Sequence, residues 1–250
     1  MKLNSVNPAG TTDKNIFIGP GYPGNKNVPG LIQKIVNEIP ACSTVTELFA
    51  GSAGLTRFLM LNNHCHGVTF YINDLDVNLV MKTARELPYS VFSQTDNAFN
   101  VLQDLINVKS GDPEKHFIFM DPPYMLHTRA NRTYYKHEFT DQDHERFLNL
   151  VVQLKCYVMI IHPVCDLYEA KLASFRKVQL KVRYRAKTAT ECLYMNYAPP
   201  EKKLVYSTTG TDCWDRQRIK RKGDRIVKRI LALPDQEKQY IIDRIKTEVL

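Results

Sequence analysis

Short apolar runs alternate with amphipathic stretches along most of this chain, and the alternation predicts a sheet covered by helices. Runs of four or five mainly apolar residues predict strands, which fall at 45–49, 68–72, 91–94, 117–120 and 157–161. Apolar residues three and four positions apart predict helices at 28–38, 54–61, 77–85, 99–106, 141–154 and 167–174. Five strand–helix alternations are typical of a doubly wound α/β sheet with helices on both faces.

The last third of the chain follows a different pattern. Two β-rich runs at 178–184 and 192–197 have no helix between them, so they predict an antiparallel hairpin at one edge of a mixed sheet. Beyond Pro200 the pattern predicts a basic amphipathic helix at 214–233, which Pro234 ends, and a second helix to residue 250. We therefore expect one domain over residues 1–200 and a basic helical extension over 201–250, packed on or next to it.

The charge of the chain adds a polyanionic partner to this picture. The formal net charge is +8 and the isoelectric point about 9.1. Residues 171–187 hold seven basic and no acidic side chains, and residues 201–229 hold ten basic and four acidic ones. Such clusters favour nucleic acid. Two solvated basic faces with no partner are the alternative explanation.

Cysteine usage and hydropathy exclude several other classes of protein. The six cysteines form no Cys-x-x-Cys pair, and the N-terminus lacks the apolar segment of a signal peptide, so free thiols in a reducing cytoplasm are expected. His64-Cys65-His66 has no second cluster at zinc spacing, so no metal site is expected. No run of about 18 apolar residues is present, so no contact with a membrane is expected.

The sequence Asp121-Pro122-Pro123-Tyr124, directly after the apolar run 117–120, carries the most specific chemistry. An adenine amine is a weak nucleophile because its lone pair is delocalised into the ring. Asp121 and the Pro122 carbonyl could each accept one amine hydrogen, on a turn that two prolines stiffen. Tyr124 supplies a face on which a flipped base could stack. A rigid turn with an ordinary packing tyrosine is the structural alternative.

Three other strand ends carry residues that suit a nucleotide-like ligand. Ligands of doubly wound sheets bind at the carboxyl ends of the strands. The segment 47–54, Glu-Leu-Phe-Ala-Gly-Ser-Ala-Gly, places small residues between a strand and a helix N-terminus that could bind a carboxylate. Asp74 ends the second strand, where an acid holds ribose hydroxyls, and Asp96 follows the third, where it could contact an adenine ring. Either acid could instead cap a helix.

Taken in order, these motifs resemble the Dam-type DNA adenine methylase family of standalone bacterial and phage enzymes. Tyr22-Pro23-Gly24-Asn25-Lys26 is similar to the family's aromatic-P/A-G-G-K segment, with Asn25 in place of the second glycine. Residues 47–51 resemble its E-P-F-x-G motif, with leucine in place of proline, and residues 73–78 resemble its ribose-contacting acidic turn. The likeness continues through 128–129, 135–140, 190–197 and 216–233, and so covers most of the chain.

The resemblance implies a Rossmann-like, S-adenosylmethionine-dependent methyltransferase fold with residues 1–200 as the catalytic domain. It implies methyl transfer from S-adenosylmethionine to the exocyclic N6 amine of a flipped-out adenine in double-stranded DNA, yielding S-adenosylhomocysteine without a metal. The implied catalytic residues are Asp121, Pro122, Pro123 and Tyr124. The implied cofactor-binding residues are Tyr22, Lys26, Glu47, Phe49, Gly51, Asp74, Asp96 and Asp121. A bacterial cytoplasm is the implied location, and a cognate restriction endonuclease stays open as a further partner.

The element that reads DNA is expected outside the place where Dam enzymes carry a target-recognition insertion, because Asp76 and Asp96 lie only twenty residues apart. The loop 125–139 mixes cations and aromatic residues suited to phosphates and bases. A flexible surface loop is its alternative. Alternate residues 181, 183 and 185 share one face of a predicted strand. The expected DNA-binding residues are His127, Arg129, Arg132, Tyr134, Lys136, Lys181, Arg183 and Arg185.

Two other functions stay open at the level of sequence. An adenine flipped from RNA presents the same atoms as one flipped from DNA, so an RNA adenine methyltransferase is the first alternative. A catalytically inactive DNA-binding relative is the second. The presence of Lys26, Asp121 and Tyr124 favours an active enzyme over that relative.

Overall fold

Seven strands form one mixed sheet in the computed structural model of the protein. The structure describes residues 26, 30–62, 64, 66–108, 112–129, 136–184, 187–206, 209–210 and 213–249. Within these ranges, the side chains of residues 182–184, 187–189 and 213 are not described. The strands are β1 (Thr44–Leu48), β2 (Thr69–Asn73), β3 (Phe92–Gln94), β4 (His116–Met120), β5 (Tyr157–Pro163), β6 (Arg176–Tyr184) and β7 (Lys187–Met195). Their order is β3-β2-β1-β4-β5-β7-β6.

The first five strands are parallel, and the last two form an antiparallel hairpin at the edge beside β5. One helix precedes β1, and helices separate the strands from β1 to β6. They are α1 (Leu31–Val36), α2 (Gly54–Leu61), α3 (Val77–Glu86), α4 (Ala98–Asn107), α5 (Asp141–Val151) and α6 (Asp166–Lys171). The predicted fold class, a Rossmann-like mixed sheet with an antiparallel edge hairpin, is confirmed.

Period-two alternation along the central strands divides the core between the two faces of the sheet. Leu48, Ile118 and Ile160 are fully buried in one apolar cluster with side chains of α4, α5 and α6. Their neighbours Phe117 and Met159, which point to the opposite face, are also fully buried. Burial on both faces explains why the parallel strands are nearly continuous apolar runs in the sequence.

Residues beyond Leu204 belong to a separate compact unit. Its described part contains two helices, α7 (Cys213–Leu231) and α8 (Asp235–Glu248). Pro234 lies between them, as the pattern predicts. None of the helices in the described ranges combines the length and the apolar character that crossing a membrane requires. The assignment of catalysis to residues 1–200 and of an accessory role to 201–250 stays a prediction.

Several predicted boundaries are wrong, and each error has a local cause. The hairpin strand β7 begins at Lys187 rather than Cys192, because its first residues are polar and the apolar pattern does not mark them. The helix predicted at 28–38 spans only Leu31–Val36. Phe49 lies outside β1, because its backbone adopts a left-handed conformation with φ 61°.

Candidate active site

The carboxyl ends of four parallel strands lie side by side and open into one cavity. Leu48 pairs with Asn73 of β2 and with Met120 of β4, and Asn73 pairs with Gln94 of β3. Because the strand ends are level, the loops that follow them meet at the same edge of the sheet. They surround a cavity of about 510 Å³ whose lining includes Lys26, Glu47, Phe49, Gly51, Asp74, Asp96, Asp121, Pro123 and 136–139.

The turn between β1 and α2 forms the floor of this cavity and requires small residues. Gly51 and Ala53 have φ of 52° and 49°, in the left-handed region that glycine tolerates best. Phe49 shares that conformation, with its ring held against Phe139 and Phe147 at centroid distances of 5.6 and 5.7 Å. The backbone of the turn is thereby exposed to the cavity, where a ligand can approach it closely.

Glu47 fixes the start of α2 from inside the sheet. Its two carboxylate oxygens accept hydrogen bonds from the backbone N–H groups of Leu55 at 3.2 Å and Thr56 at 2.9 Å. Burial raises the pKa of Glu47 to about 7, although the N–H donors oppose this shift. The side chain therefore shapes the wall of the cavity by holding the helix.

The acids after β2 and β3 line the cavity without capping the helices that follow them. Asp74 accepts hydrogen bonds from the backbone N–H groups of Gly51 at 2.8 Å and Asp76 at 3.0 Å. The N-cap of α3 is Asp76, and the N-cap of α4 is Asn97. Asp96 accepts from the Asn97 N–H at 2.6 Å. The capping alternative is therefore wrong for both acids.

Asp121 begins the Asp-Pro-Pro-Tyr turn and joins a buried network of charged and polar side chains. Lys26 is 8% exposed, and its Nζ lies 2.9 Å from Asp121 Oδ1 and donates to the Tyr124 hydroxyl oxygen at 2.6 Å. The Tyr124 hydroxyl in turn donates a short hydrogen bond to Glu191 on β7. Burial raises the pKa of Asp121 to about 6; Lys26 opposes the shift and Glu191 adds to it.

His162 supports the turn from below. The backbone N–H of Met125 donates to His162 Nε2 at 3.1 Å, and Nδ1 lies 2.7 Å from the Pro163 carbonyl oxygen. Since Nε2 accepts, Nδ1 carries the hydrogen and donates it to that carbonyl. The ring stacks on Tyr168 at 3.8 Å and meets Tyr124 edge-on at 5.1 Å. Burial lowers the pKa of His162 to about 3, which keeps it neutral.

The chain after the turn returns over the cavity at Phe139. Its ring stacks on Phe99 at 5.4 Å and meets Phe49 edge-on at 5.6 Å. Arg129 donates to both oxygens of Glu138, at 3.0 and 2.6 Å, and its side chain is 7% exposed. This bidentate ion pair ties the segment just before Phe139 to the chain five residues beyond Tyr124.

A family model for the D12 class N6 adenine-specific DNA methyltransferases matches residues 79–190, which contain the Asp-Pro-Pro-Tyr turn. Over these residues the chain matches the D12 class. The match covers 112 of the 250 residues. It confirms the Dam-type resemblance and supports an S-adenosylmethionine-dependent methyltransferase as the class of enzyme. Lys26, Glu47 and Asp74 contribute to the cavity from outside the matched segment.

Solved structures resemble the chain at low sequence identity. TrmN from Thermus thermophilus aligns with a TM-score of 0.46 and 16% identity over 67% of this chain. TrmK from M. capricolum, in complex with S-adenosyl-homocysteine, aligns with a TM-score of 0.44 and 8% identity over 86% of this chain and 93% of its own. The chain spans 48% of TrmN and 58% of a SAM-dependent methyltransferase from Agrobacterium tumefaciens. No curated protein matches the chain.

The ends of the parallel strands bring the predicted catalytic and cofactor residues together, except that Tyr22 lies outside the described residues. The predicted DNA-binding residues are dispersed. His127 and Lys181 are exposed, whereas Arg129 is engaged with Glu138. Lys136 lines the cavity, where its Nζ lies 3.0 Å from Asp76 Oδ2. The described residues do not include Arg132, Tyr134, Arg185 or the side chain of Arg183.

The sequence analysis did not identify two residues that contact the turn, Glu191 and His162. Glu191 lies within the 190–197 segment whose likeness to standalone methylases is noted above, and a lone acid among apolar strand residues was the available signal. His162 ends an apolar strand and carries no motif of its own. Its position beneath the turn depends on the tertiary fold, which sequence spacing does not encode.

Proposed function

We propose that this protein transfers a methyl group from S-adenosylmethionine to the N6 amine of adenine in DNA. The observation that carries the proposal is the Asp121 carboxylate, which faces the same cavity as the acids after β2 and β3. A single cavity can then hold both the methyl donor and the atom that receives the methyl group. The description of the D12 class names adenine N6 and DNA as the target.

The cavity fits S-adenosylmethionine in size and in the chemistry of its lining. About 510 Å³ is within the usual range for small-molecule sites. Asp74 would hold the ribose hydroxyls and Asp96 would lie near the adenine ring. The carboxylate of Asp121 suits the neighbourhood of a positive sulfonium. When bound, S-adenosylmethionine supplies an electrophilic methyl group.

The residues of the turn would activate the amine by accepting its hydrogens. Asp121 accepts one N–H and the Pro122 carbonyl accepts the other, which draws the nitrogen lone pair out of conjugation. The amine nitrogen forms the new N–C bond as the S–C bond breaks, and the electron pair of that bond stays on sulfur. The nitrogen then loses one proton, and Asp121 is placed to accept it. Tyr124 would stack on the flipped base.

The clearest test removes the carboxylate of Asp121. We expect Asp121→Ala to lower the single-turnover methylation rate by roughly 100-fold or more, as removal of a transition-state acceptor does. In calorimetry, S-adenosylmethionine should still bind, with a much smaller loss of affinity than of rate, because Asp74 and Asp96 remain. The matched control is Asp112→Asn, an exposed acid outside the cavity, which should keep the wild-type rate. A wild-type rate in Asp121→Ala would refute this mechanism.

A further inference from the structure

Glu191 is a buried carboxylate that the proposed chemistry of the amine does not use. It is 3% exposed on the antiparallel strand β7, opposite Pro163 of β5. Removing a carboxylate from water is costly unless it receives hydrogen bonds. The described contact that meets this need is the hydrogen bond from the Tyr124 hydroxyl. A strand distant in sequence, between β5 and β6, thus reaches into the catalytic turn.

The hydroxyl of Tyr124 is held by complementary partners. Lys26 donates to the hydroxyl oxygen at 2.6 Å, so the single hydroxyl hydrogen is directed to an acceptor, which Glu191 provides. Lys26 Nζ also lies 4.6 Å from the centre of the ring, and His162 meets the ring edge-on. The orientation of the Tyr124 ring is therefore fixed at its hydroxyl as well as at its edge.

We propose that Glu191 is a positioning residue that sets the Tyr124 ring in the orientation in which it stacks on the target base. The proposal rests on the proposed function, because it assigns Tyr124 the role of stacking platform. A ring free to rotate would lose part of its stacking energy to the cost of ordering it. Glu191 acts through the tyrosine and does not itself touch the base.

The required property of residue 191 is an acceptor at the right distance. A glutamine can present its amide oxygen to the hydroxyl, whereas a methionine of similar length offers only a weak acceptor. We expect Glu191→Met to lower the single-turnover rate with DNA by about 10-fold to 100-fold, since small misplacements of reacting groups cost that much. Glu191→Gln should recover the rate to within about 3-fold of the wild type. Calorimetry should give an unchanged dissociation constant for S-adenosylmethionine.

A double-mutant cycle separates positioning from a general effect of charge. If Glu191 acts through the Tyr124 hydroxyl, Glu191→Met should add less than about 3-fold to the loss already caused by Tyr124→Phe. Glu169→Met is the matched control, because Glu169 accepts a hydrogen bond from Tyr194 at 2.9 Å outside the cavity. It should keep the wild-type rate. Fully multiplicative losses in the double variant, or a wild-type rate in Glu191→Met, would overturn the proposal.

A structural readout distinguishes this proposal from the proposed function. With ¹³C-labelled tyrosine, the resonance of the Tyr124 Cζ should shift in Glu191→Met and return toward the wild-type position in Glu191→Gln. This holds whether or not the wild type methylates DNA. If the wild type methylates no DNA but the shift is seen, the contact stands and the proposed reaction fails. An unchanged Tyr124 resonance in Glu191→Met would contradict the positioning role itself.

Discussion

Asp121 combines an acceptor role with an unusual environment. Burial raises its pKa to about 6, against the opposing charge of Lys26. The carboxylate is the form that accepts the amine hydrogen and the released proton, so activity requires a pH above that value. The burial of Asp121 therefore predicts that the methylation rate depends on pH.

At saturating cofactor, the single-turnover methylation rate should be flat above pH 7 and should fall about tenfold per pH unit well below pH 6. The titration of Glu47, whose pKa burial raises to about 7, is expected instead in the affinity for cofactor, because Glu47 holds α2. Rates and calorimetric dissociation constants measured from pH 5 to 8 separate the two groups. A rate that stays constant down to pH 5 would contradict the role of Asp121.

The titration of His162 makes the stability of the folded protein depend on pH. Its pKa is lowered in the folded protein to about 3, so between pH 6.5 and 3 the unfolded chain binds a proton that the folded protein does not. Its neutral form thus contributes stability that is complete above pH 6.5 and is lost as the pH falls. The stability cost of His162→Gln should shrink between pH 7 and pH 5, by up to about 2 kcal/mol.

Urea unfolding at the two pH values measures this change. The control is Val151→Ala, which removes a fully buried apolar group and should cost the same free energy at both pH values. A cost of His162→Gln that is equal at pH 7 and pH 5 would show that the histidine titrates alike in the folded and unfolded states.

At the scale of elements, the parallel half of the sheet was predictable because burial on both faces makes its strands apolar throughout. Strand β4 and helix α2 were located to within one residue. The hairpin strand β7 was not, because its polar first half gives no apolar signal. Local pattern therefore predicts elements whose residues are apolar throughout and misses the part of a strand whose residues are polar.

The residues of the site likewise fall into those that the sequence predicts and those that it does not. Asp74, Asp96 and Asp121 could be predicted because each lies within two residues of a strand end, and strand ends meet at one edge. The partners Glu191 and His162 could not, since they reach the turn across the hairpin and the last parallel strand. The loop 125–139 was treated as one DNA-contacting unit, whereas the ion pair of Arg129 places this side chain inside the fold.

Arg129 and Lys181 should behave differently although both were grouped as DNA contacts. Lys181 is exposed on β6, so Lys181→Gln should reduce the slope of log affinity against log salt by about 0.9, the value for one phosphate contact. Arg129→Gln removes both hydrogen bonds to Glu138 and should lower the melting temperature while leaving the salt slope unchanged. DNA titrations between 50 and 200 mM salt test both. A reduced slope in Arg129→Gln would return it to the DNA interface.

At the scale of the whole molecule, charge is concentrated on α7. Seven cations between Arg218 and Arg229 are exposed along that helix. Two of these seven, Arg218 and Lys220, form ion pairs with acids of α7. In α8, all three cations, Lys238, Arg244 and Lys246, form ion pairs with acids of the same helix. A polyanion would therefore be attracted to α7 more strongly than to α8.

Replacing Arg221, Lys222 and Arg225 by glutamine should weaken DNA binding and reduce the salt slope by up to about 2.7, for three lost phosphate contacts. The rate at saturating DNA should be unchanged. The same change at Lys238, Arg244 and Lys246 is the control and should alter the slope less. An equal change in salt slope for the two triple variants would show that the exposed face of α7 is solvated and does not contact DNA.

The central claim is that the protein methylates adenine N6 in DNA, and single-molecule methylation mapping tests it most directly. Unmethylated genomic DNA would be incubated with the purified protein and S-adenosylmethionine, with Asp121→Ala as the matched control. We expect N6-methyladenine in the wild-type reaction and none above background with the variant. An absence of methyladenine from the wild-type reaction, under conditions in which calorimetry shows bound cofactor, would contradict it; the same assay on RNA would then test the alternative substrate.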